Sequence, residues 1–461
     1  MALTVPLSEI VEKSSNRLLG KHASWGRVLL GYIATVLNGF AFKSSEFSNS
    51  GGVPLIRIRD VGKDQSETTY LGEYDHRYVV EPGDLLVGMD GDFNCARWRG
   101  PRGLLNQRVC KITLKSDIYL PKFLDYTLPG YLKAINDVTS SVTVKHLSSR
   151  SIEEIPLPLP PKEFQQRLVA EIEKQFSRLD EAVANLKRVK ANLKRYKTAV
   201  LKAAVEGKLT EDWRKQHLNI EPASKLLERI LAERRKKWTG RGEYKEPAAP
   251  EASNLTLPKR WTWATVDQIS VVVRGASPRP AGDPRYFGGT IPWITVGPIT
   301  ADQKPYLTSV PETVTEEGRE RSRYLEPHTL LLTNSGATLG VPKITLIGGC
   351  INDGVAALLD VVYPLKLYLL YFLHTQTTRL RRVNQGAAQP NLNTSIIKAI
   401  NVPLPPHDEQ EQIVAEVERR LSVIEELEAA VQANLTRADR LRQSILGQAF
   451  SGKLLLNEAR G

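Results

Sequence analysis

Ile152-Glu-Glu-Ile-Pro-Leu-Pro-Leu-Pro-Pro161 and Ile397-Lys-Ala-Ile-Asn-Val-Pro-Leu-Pro-Pro406 are one segment written twice, 245 residues apart. The register holds downstream without a gap. Gln165 answers Gln410, Val169-Ala170-Glu171 answers Val414-Ala415-Glu416, Glu173 answers Glu418, and Gly207-Lys208-Leu209 answers Gly452-Lys453-Leu454. A match of this length with identities at both ends is an internal repeat, and a repeat decides the architecture before any local reading does. Weaker echoes lie upstream: Val53-Pro54-Leu55-Ile56 answers Ile291-Pro292-Trp293-Ile294, and Glu81-Pro82-Gly83-Asp84-Leu85-Leu86 answers Glu326-Pro327-His328-Thr329-Leu330-Leu331. Trp25 and Trp263 each precede an apolar stretch. The chain therefore reads as two copies of one module, a globular part followed by a long segment. The globular parts have diverged far more than the long ones. The first 20 residues have no counterpart in this reading and form an arm.

Each long segment starts after Pro-Pro, which suits a helix start but not a helix interior. Each ends at a glycine, the residue expected just past a helix C-terminus. Between them, 162–206 and 407–451, proline is absent and Gly447 is the one glycine. The apolar stripes alternate three and four residues, the coiled-coil period. They comprise Ile172, Phe176, Leu179, Val183, Leu186 and Leu193 in the first helix, and Val417, Leu421, Ile424, Val431 and Leu435 in the second. Residues 187–202 of the first helix carry seven basic side chains and no acid, whereas Glu416, Glu418, Glu425, Glu426 and Glu428 lie in the first half of the second. An antiparallel pair sets these halves side by side, and charge of this kind selects orientation more than it adds stability.

The globular stretches hold short apolar runs, among them Val53–Ile58, Arg108–Leu114, Thr329–Thr333 and Val355–Val361, separated by turns rich in Gly, Pro, Asn and Asp. Helices are expected near Leu120–Asn136, Leu365–Val383 and Ser224–Trp238, and 239–253 reads as a linker. The fold class is α+β: two repeated α/β domains separated by two long helices that form an antiparallel coiled coil.

The 461 residues carry a net charge of +12, which favours an anionic partner, nucleic acid foremost. The charge is uneven: 156–205 hold 11 basic and 5 acidic residues, and 401–461 hold 7 and 10. Three scattered cysteines make neither a disulfide framework nor a zinc site and fit a reducing, cytoplasmic setting. No apolar run is long enough for a membrane span. Catalytic signatures are missing. The nearest approach to an adenine-methylase motif, Asp283-Pro284-Arg285-Tyr286, is spoiled by Arg285. Gly207-Lys208-Leu209 lacks the rest of a phosphate-cradling loop. Asn334-Ser335-Gly336 reads as a plain turn.

Taken together, Pro-x-Pro-Pro-x-x-x-Gln, the long helix and the closing Gly207-Lys208-Leu209-Thr210-Glu211-Asp212-Trp213-Arg214 resemble the specificity subunit of type I restriction-modification enzymes, over residues 21–456. Phe164 departs from the family's glutamate at that position. The resemblance implies an N-terminal arm (1–20), a target recognition domain (21–157), a long helix (158–215), a charged helix and linker (216–259), a second target recognition domain (260–402) and a second long helix (403–461). It implies that each domain reads half of a split DNA site. It also implies double-stranded DNA, two modification subunits and restriction subunits as partners, with no cofactor bound by this chain. S-adenosylmethionine, ATP and Mg²⁺ would serve the partner subunits. A coiled-coil protein scaffold is the rival reading, but it has no need of two diverged domains with Arg-, Asn- and Gln-rich loops.

Arginine on guanine and Asn or Gln on adenine are the commonest specific base contacts. Clusters of these types nominate Arg57, Arg59, Arg97, Arg99, Arg102, Lys145 and His146 in the first domain. In the second they nominate Arg274, Arg279, Arg285, Arg319, Arg321, Arg323, Arg381, Arg382, Gln389 and Asn391.

Overall fold

The structure is a computed structural model that describes residues 6–138, 146–240, 242–251, 255–383 and 391–455, residues 15, 20, 21 and 23 excepted. Its longer helices are α1 (Leu7–Lys13), α2 (Pro121–Val138), α3 (Lys162–Val205), α4 (Ala223–Lys236), α5 (Leu365–Val383) and α6 (His407–Phe450). The chain divides into two compact units. Unit 1 comprises 1–187 with 432–461, and unit 2 comprises 188–431, so the division runs through both long helices.

The repeated motif has a structural reason. At the start of α3 the buried Gln165 amide donates to the carbonyls of Pro160 and Ile118, both at 2.9 Å, and accepts from Leu120 N, also at 2.9 Å. Gln410 donates likewise to Pro405 O at 2.9 Å. At the other end Gly207 and Gly452 adopt φ of +69° and +73°. Lys208 N then reaches Ala203 O, and Lys453 N reaches Gln448 O, each at 2.9 Å. This is the six-to-one closure that satisfies the last helical carbonyls, and a left-handed residue is needed to make it.

The long helices run antiparallel within each unit. In unit 1 the Arg442 guanidinium covers the Phe176 ring at 4.5 Å and pairs with Asp180. There Leu168 and Ile172 share a core with Ile445, Ala449 and Phe450. In unit 2 Leu201 and Ala204 share a core with Ile413, Val414 and Val417. Ile172, Phe176, Leu193, Val417, Ile424 and Val431 are buried, and Leu179, Val183, Leu186, Leu421 and Leu435 are half-buried. The basic-against-acidic argument for orientation needs an amendment. Glu416 turns to Arg419 and Arg420 of its own helix, at 2.9 and 2.5 Å. Hydrogen bonds from both guanidiniums hold its carboxyl at about 2.

Glu409 explains the Phe164 exception. This side chain is fully buried and accepts from Thr210 Oγ1 at 2.7 Å, from Trp261 Nε1 at 2.8 Å, and from Arg214. Arg214 also donates to Gly207 O at 2.6 Å. The chain that supplies Thr210 and Arg214 continues out of α3. The corresponding place in unit 1 has Phe164 set edge-on to Trp25, with His22 stacked on the same indole at 4.8 Å. An ionic lock in one unit is an aromatic contact in the other.

Both units build their sheets alike. The main sheet of unit 1 runs Ala34–Asn38, Val109–Leu114, Leu85–Gly88, Cys95–Arg97, all antiparallel. That of unit 2 runs Val271–Arg274, Val355–Leu359, Thr329–Thr333, Pro342–Thr345, Tyr306–Leu307. In each unit a second sheet contains one parallel pair: Val53–Ile56 beside Gly103–Leu105, and Phe287–Ile294 beside Gly349–Ile351. A two-stranded ribbon leads into each long helix, Gly26–Leu29 with Pro156–Leu159 and Thr262–Thr265 with Asn401–Leu404. Tyr131 and Leu128 of α2, and Tyr368 and Leu369 of α5, fill the cores behind the main sheets.

Helix α1 of the N-terminal arm packs into the core. Leu7, Ile10 and Val11 of α1 are buried in the cluster that also holds Leu454 and Leu455. A counterpart exists after all: Pro6-Leu-Ser-Glu-Ile-Val-Glu-Lys13 matches Pro222-Ala-Ser-Lys-Leu-Leu-Glu-Arg229, the start of α4. Both helices begin directly after their proline, in extended conformation. The shifted spacing to the following domain hid this match.

Candidate nucleic-acid interface

In each unit the turn after the Leu85–Gly88 or Thr329–Thr333 strand meets the residue that leads into a one-turn helix, Ser149–Glu153 or Thr394–Lys398. The meeting is an isolated antiparallel bridge, Asp90 with His146 and Ser335 with Asn391. Leu147 N donates to Met89 O and Leu392 N to Asn334 O, both at 2.7 Å. Met89 N donates to Arg108 O at 2.8 Å and Asn334 N to Gly354 O at 2.9 Å. Ser148 and Asn393 cap the helices that follow, through side-chain oxygens 3.1 and 2.9 Å from Ser151 N and Ile396 N. The two crossings therefore have the same backbone frame.

In unit 1 the nominated residues form more than one group. Arg57, 6.0 Å from the Phe47 ring, and Arg59, bonded to Thr68 Oγ1 at 3.0 Å, flank the 57–68 loop. Arg99 joins them by donating to Gly62 O at 3.1 Å. Arg102 is exposed and paired with Glu81 at 3.2 Å. Arg97 is tied into the fold, donating to Asp125 at 2.7 Å and Gly83 O at 2.6 Å. His146 stands apart at the crossing, and Lys145 lies outside the described residues.

Unit 2 gathers its arginines into a strip. Arg285 and Arg321 lie over Tyr286 at 5.2 and 4.7 Å, and Arg319 lies over Tyr324 at 4.3 Å. Arg285 also grips Asp283 at 2.8 Å, which holds that carboxyl below the usual aspartate range. Next in line, Arg323 donates to Arg274 O at 3.0 Å, and Arg274 donates to Asp353 O at 2.7 Å. Arg279 faces the Asp353 carboxylate at 3.8 Å. Arg381 is exposed and donates to Leu339 O at 3.1 Å, which anchors the 335–340 turn beside Asn391. Arg382 is exposed, and Gln389 lies outside the described residues. Aromatic faces beneath the arginines hold the guanidiniums at the surface, where Asp283, Glu316 and Glu317 pair with Arg285, Arg319 and Arg321.

Residues 23–195 and 258–437 match the family described as the type I restriction modification DNA specificity domain. That is three-quarters of the chain, in two blocks that coincide with the internal repeat. The chain belongs to this family of specificity subunits. It is 34% identical to the EcoBI specificity subunit of Escherichia coli, over 98% of this chain and 91% of that one. It is 23% identical to the EcoDI specificity subunit of Escherichia coli, over 82% and 79%. Among solved structures, one reported for complex assembly and conformational transition of the type I R-M system covers 94% of this chain and 99% of its own, with a TM-score of 0.61 and 20% identity. That likeness concerns the fold.

In this specificity subunit, residue counting missed the charged group at the unit 1 crossing. Asp90 and Arg108 lie 18 residues apart and His146 a further 38, so no cluster in sequence announces the group. His146 Nδ1 lies 2.6 Å from Asp90 Oδ1 and 3.1 Å from Arg108 Nη1, and Arg108 Nε is 3.5 Å from Asp90 Oδ2. Among the described residues, unit 2 carries the neutral Ser335, Gly354 and Asn391 at the corresponding positions. The Asn334 amide is buried with neither polar atom hydrogen-bonded, and Asn352 Oδ1 is likewise unpaired. Among the described residues no helix is long and apolar enough to cross a membrane.

Proposed function

We propose that this chain is the non-catalytic DNA-reading subunit of a type I restriction-modification complex. Each target domain reads one half of a split, asymmetric site. The paired helices set the spacing between the halves and dock two modification subunits, with restriction subunits joining them. Methyl transfer with S-adenosylmethionine and cleavage driven by ATP and Mg²⁺ belong to those partners. The observation that carries this reading is the pair of crossings, the same backbone frame bearing unlike side chains. Two copies of one reader need a common scaffold and different contact groups.

The test is methylome sequencing of cells that express the chain with its modification subunit. The expected result is one bipartite adenine-methylated motif that disappears when this chain is left out. Methylation that persists without it, or a single uninterrupted motif, refutes the reading. DNA binding by the complex should also weaken steeply with salt, since each phosphate neutralised by Lys or Arg releases counterions.

A further inference from the structure

We infer that the two crossings are specificity-determining positions. Arg108, aimed by Asp90 and His146, reads a G·C pair in one half-site, and Asn391 reads an A·T pair in the other. This rests on the reading of the chain as a DNA-specificity subunit and names residues for it.

The first support is the frame. Four backbone features recur in both units: the bridge, the bonds from residues 147 and 392, the bonds from residues 89 and 334, and the capped one-turn helix. Position 108 corresponds to position 354 through those bonds. On this shared frame Asp90, Arg108 and His146 are replaced by Ser335, Gly354 and Asn391. A side chain at 354 would meet Ser335 Oγ at 2.8 Å, so the neutral cluster is closed to a unit 1-like arginine. The bonded frame is common to both units although residue 108 is left-handed and residue 354 is not, so packing of the frame does not by itself account for a charged trio in one unit and small neutral groups in its twin. Different ligands at the two places do explain it.

The second support is the geometry of Arg108. Its backbone is left-handed, φ +71°, a conformation that costs free energy for a residue with a Cβ and gathers at functional sites. Its side chain is 53% exposed, while those of Asp90 and His146 are 22% and 34% exposed. His146 Nδ1 holds at most one proton. At 2.6 Å from the carboxylate it donates to Asp90 and so takes no hydrogen from Arg108. The carboxylate, 3.5 Å from Nε, therefore steers the guanidinium by charge, and its solvent-facing N–H groups suit a planar, two-acceptor partner, which guanine O6 and N7 provide. In unit 2 Asn391 is exposed beside the Arg381-anchored turn, and a carboxamide matches adenine N6 and N7.

The experiment uses the full-length chain in the complete complex, with methylome sequencing and measured DNA affinities. Arg108→Lys keeps the charge against Asp90 but loses the fork. It should make one G·C position of one half-site degenerate, by about ten- to a hundredfold in discrimination, with the other half-site and the spacer intact. Asp90→Asn should loosen the same position to a smaller degree. Asn391→Ala should relax an A·T position in the opposite half-site. An unchanged motif in Arg108→Lys overturns the inference. So does a uniform loss of affinity for all sequences, which marks a phosphate contact. Loss of all methylation by Arg108→Lys and Asp90→Asn, with the chain folded by circular dichroism, would make the cluster structural and also overturn it. Absence of any bipartite motif with the unaltered chain is a different failure, that of the proposed function itself.

Discussion

Glu409→Ala should loosen the start of α6 from the end of α3 by about 3–5 kcal/mol, the usual cost of removing one partner of a buried ion pair. The structure sets the size. Glu409 is fully buried, and the Arg214 side chain is 16% exposed. Truncation strands a guanidinium, an indole N–H and a hydroxyl that all converge on the carboxylate. At 1.36 kcal/mol per tenfold, local opening should become about a hundred- to several-thousand-fold more frequent. Hydrogen exchange of the intact chain reads this directly in residues 207–216 and 403–412. Residues 160–166 and 448–455, the equivalent closure in unit 1, provide the internal reference and should not change. Arg214→Ala should have a comparable effect, and the double substitution should cost far less than the sum, since neither charge is then left alone. Additive single effects, or a loss below about 1 kcal/mol, would refute the account of a coupled lock. In unit 1, Phe164→Glu should cost the roughly 0.5–1.5 kcal/mol of one aromatic contact plus the apolar burial of a partly buried ring.

Three further outcomes are expected. Ile10→Ala should destabilise unit 1 by about 2–5 kcal/mol in denaturant melts, because Ile10 is a core residue and not part of a free arm. Burial, then the charges of Lys197 and Lys343, hold the His374 imidazole at about 4. Stability should therefore fall as pH drops from about 6.5 towards 4, where the unfolded chain takes up a proton that the folded one refuses, and His374→Gln should flatten that part of the curve. If the paired helices are the ruler, four residues inserted after both Leu186 and Val431 add about 6 Å. Methylome sequencing should then show the unread spacer lengthened by one to two base pairs of about 3.4 Å, with both half-sites unchanged.

The long helices were legible because one period runs through 44 residues in each, with Pro-Pro and Gly marking the ends. Gln165 and Gln410 stood out as matches, though their role at the helix start rests on carbonyls that only the folded chain brings within reach. The α5 span was legible from its apolar run. The resemblance of α1 to α4 was not, since eight residues at a shifted spacing fall below what a fixed-offset comparison detects. The interface was only partly legible. Clustering in sequence found the Arg285–Arg319–Arg321 strip, whose members meet over Tyr286 and Tyr324. It also nominated Arg97, whose guanidinium is taken up by Asp125 and Gly83. Asp90 and Arg108 lie beside the ends of two strands and His146 leads into a one-turn helix, and only the fold brings the three together.

The division of the chain between the units fixes an order of events during synthesis. Unit 2 is continuous, 188–431, and has all its parts once they leave the ribosome. Unit 1 waits: the faces of Leu168, Ile172 and Phe176, and of Leu7 and Ile10, are finished only by Ile445, Phe450 and Leu454. At roughly 5–20 residues per second, the 244 intervening residues take on the order of 10–50 s. Throughout that interval the first half of the newborn chain carries an uncovered apolar stripe, the kind of transiently exposed surface that favours aggregation until α6 emerges.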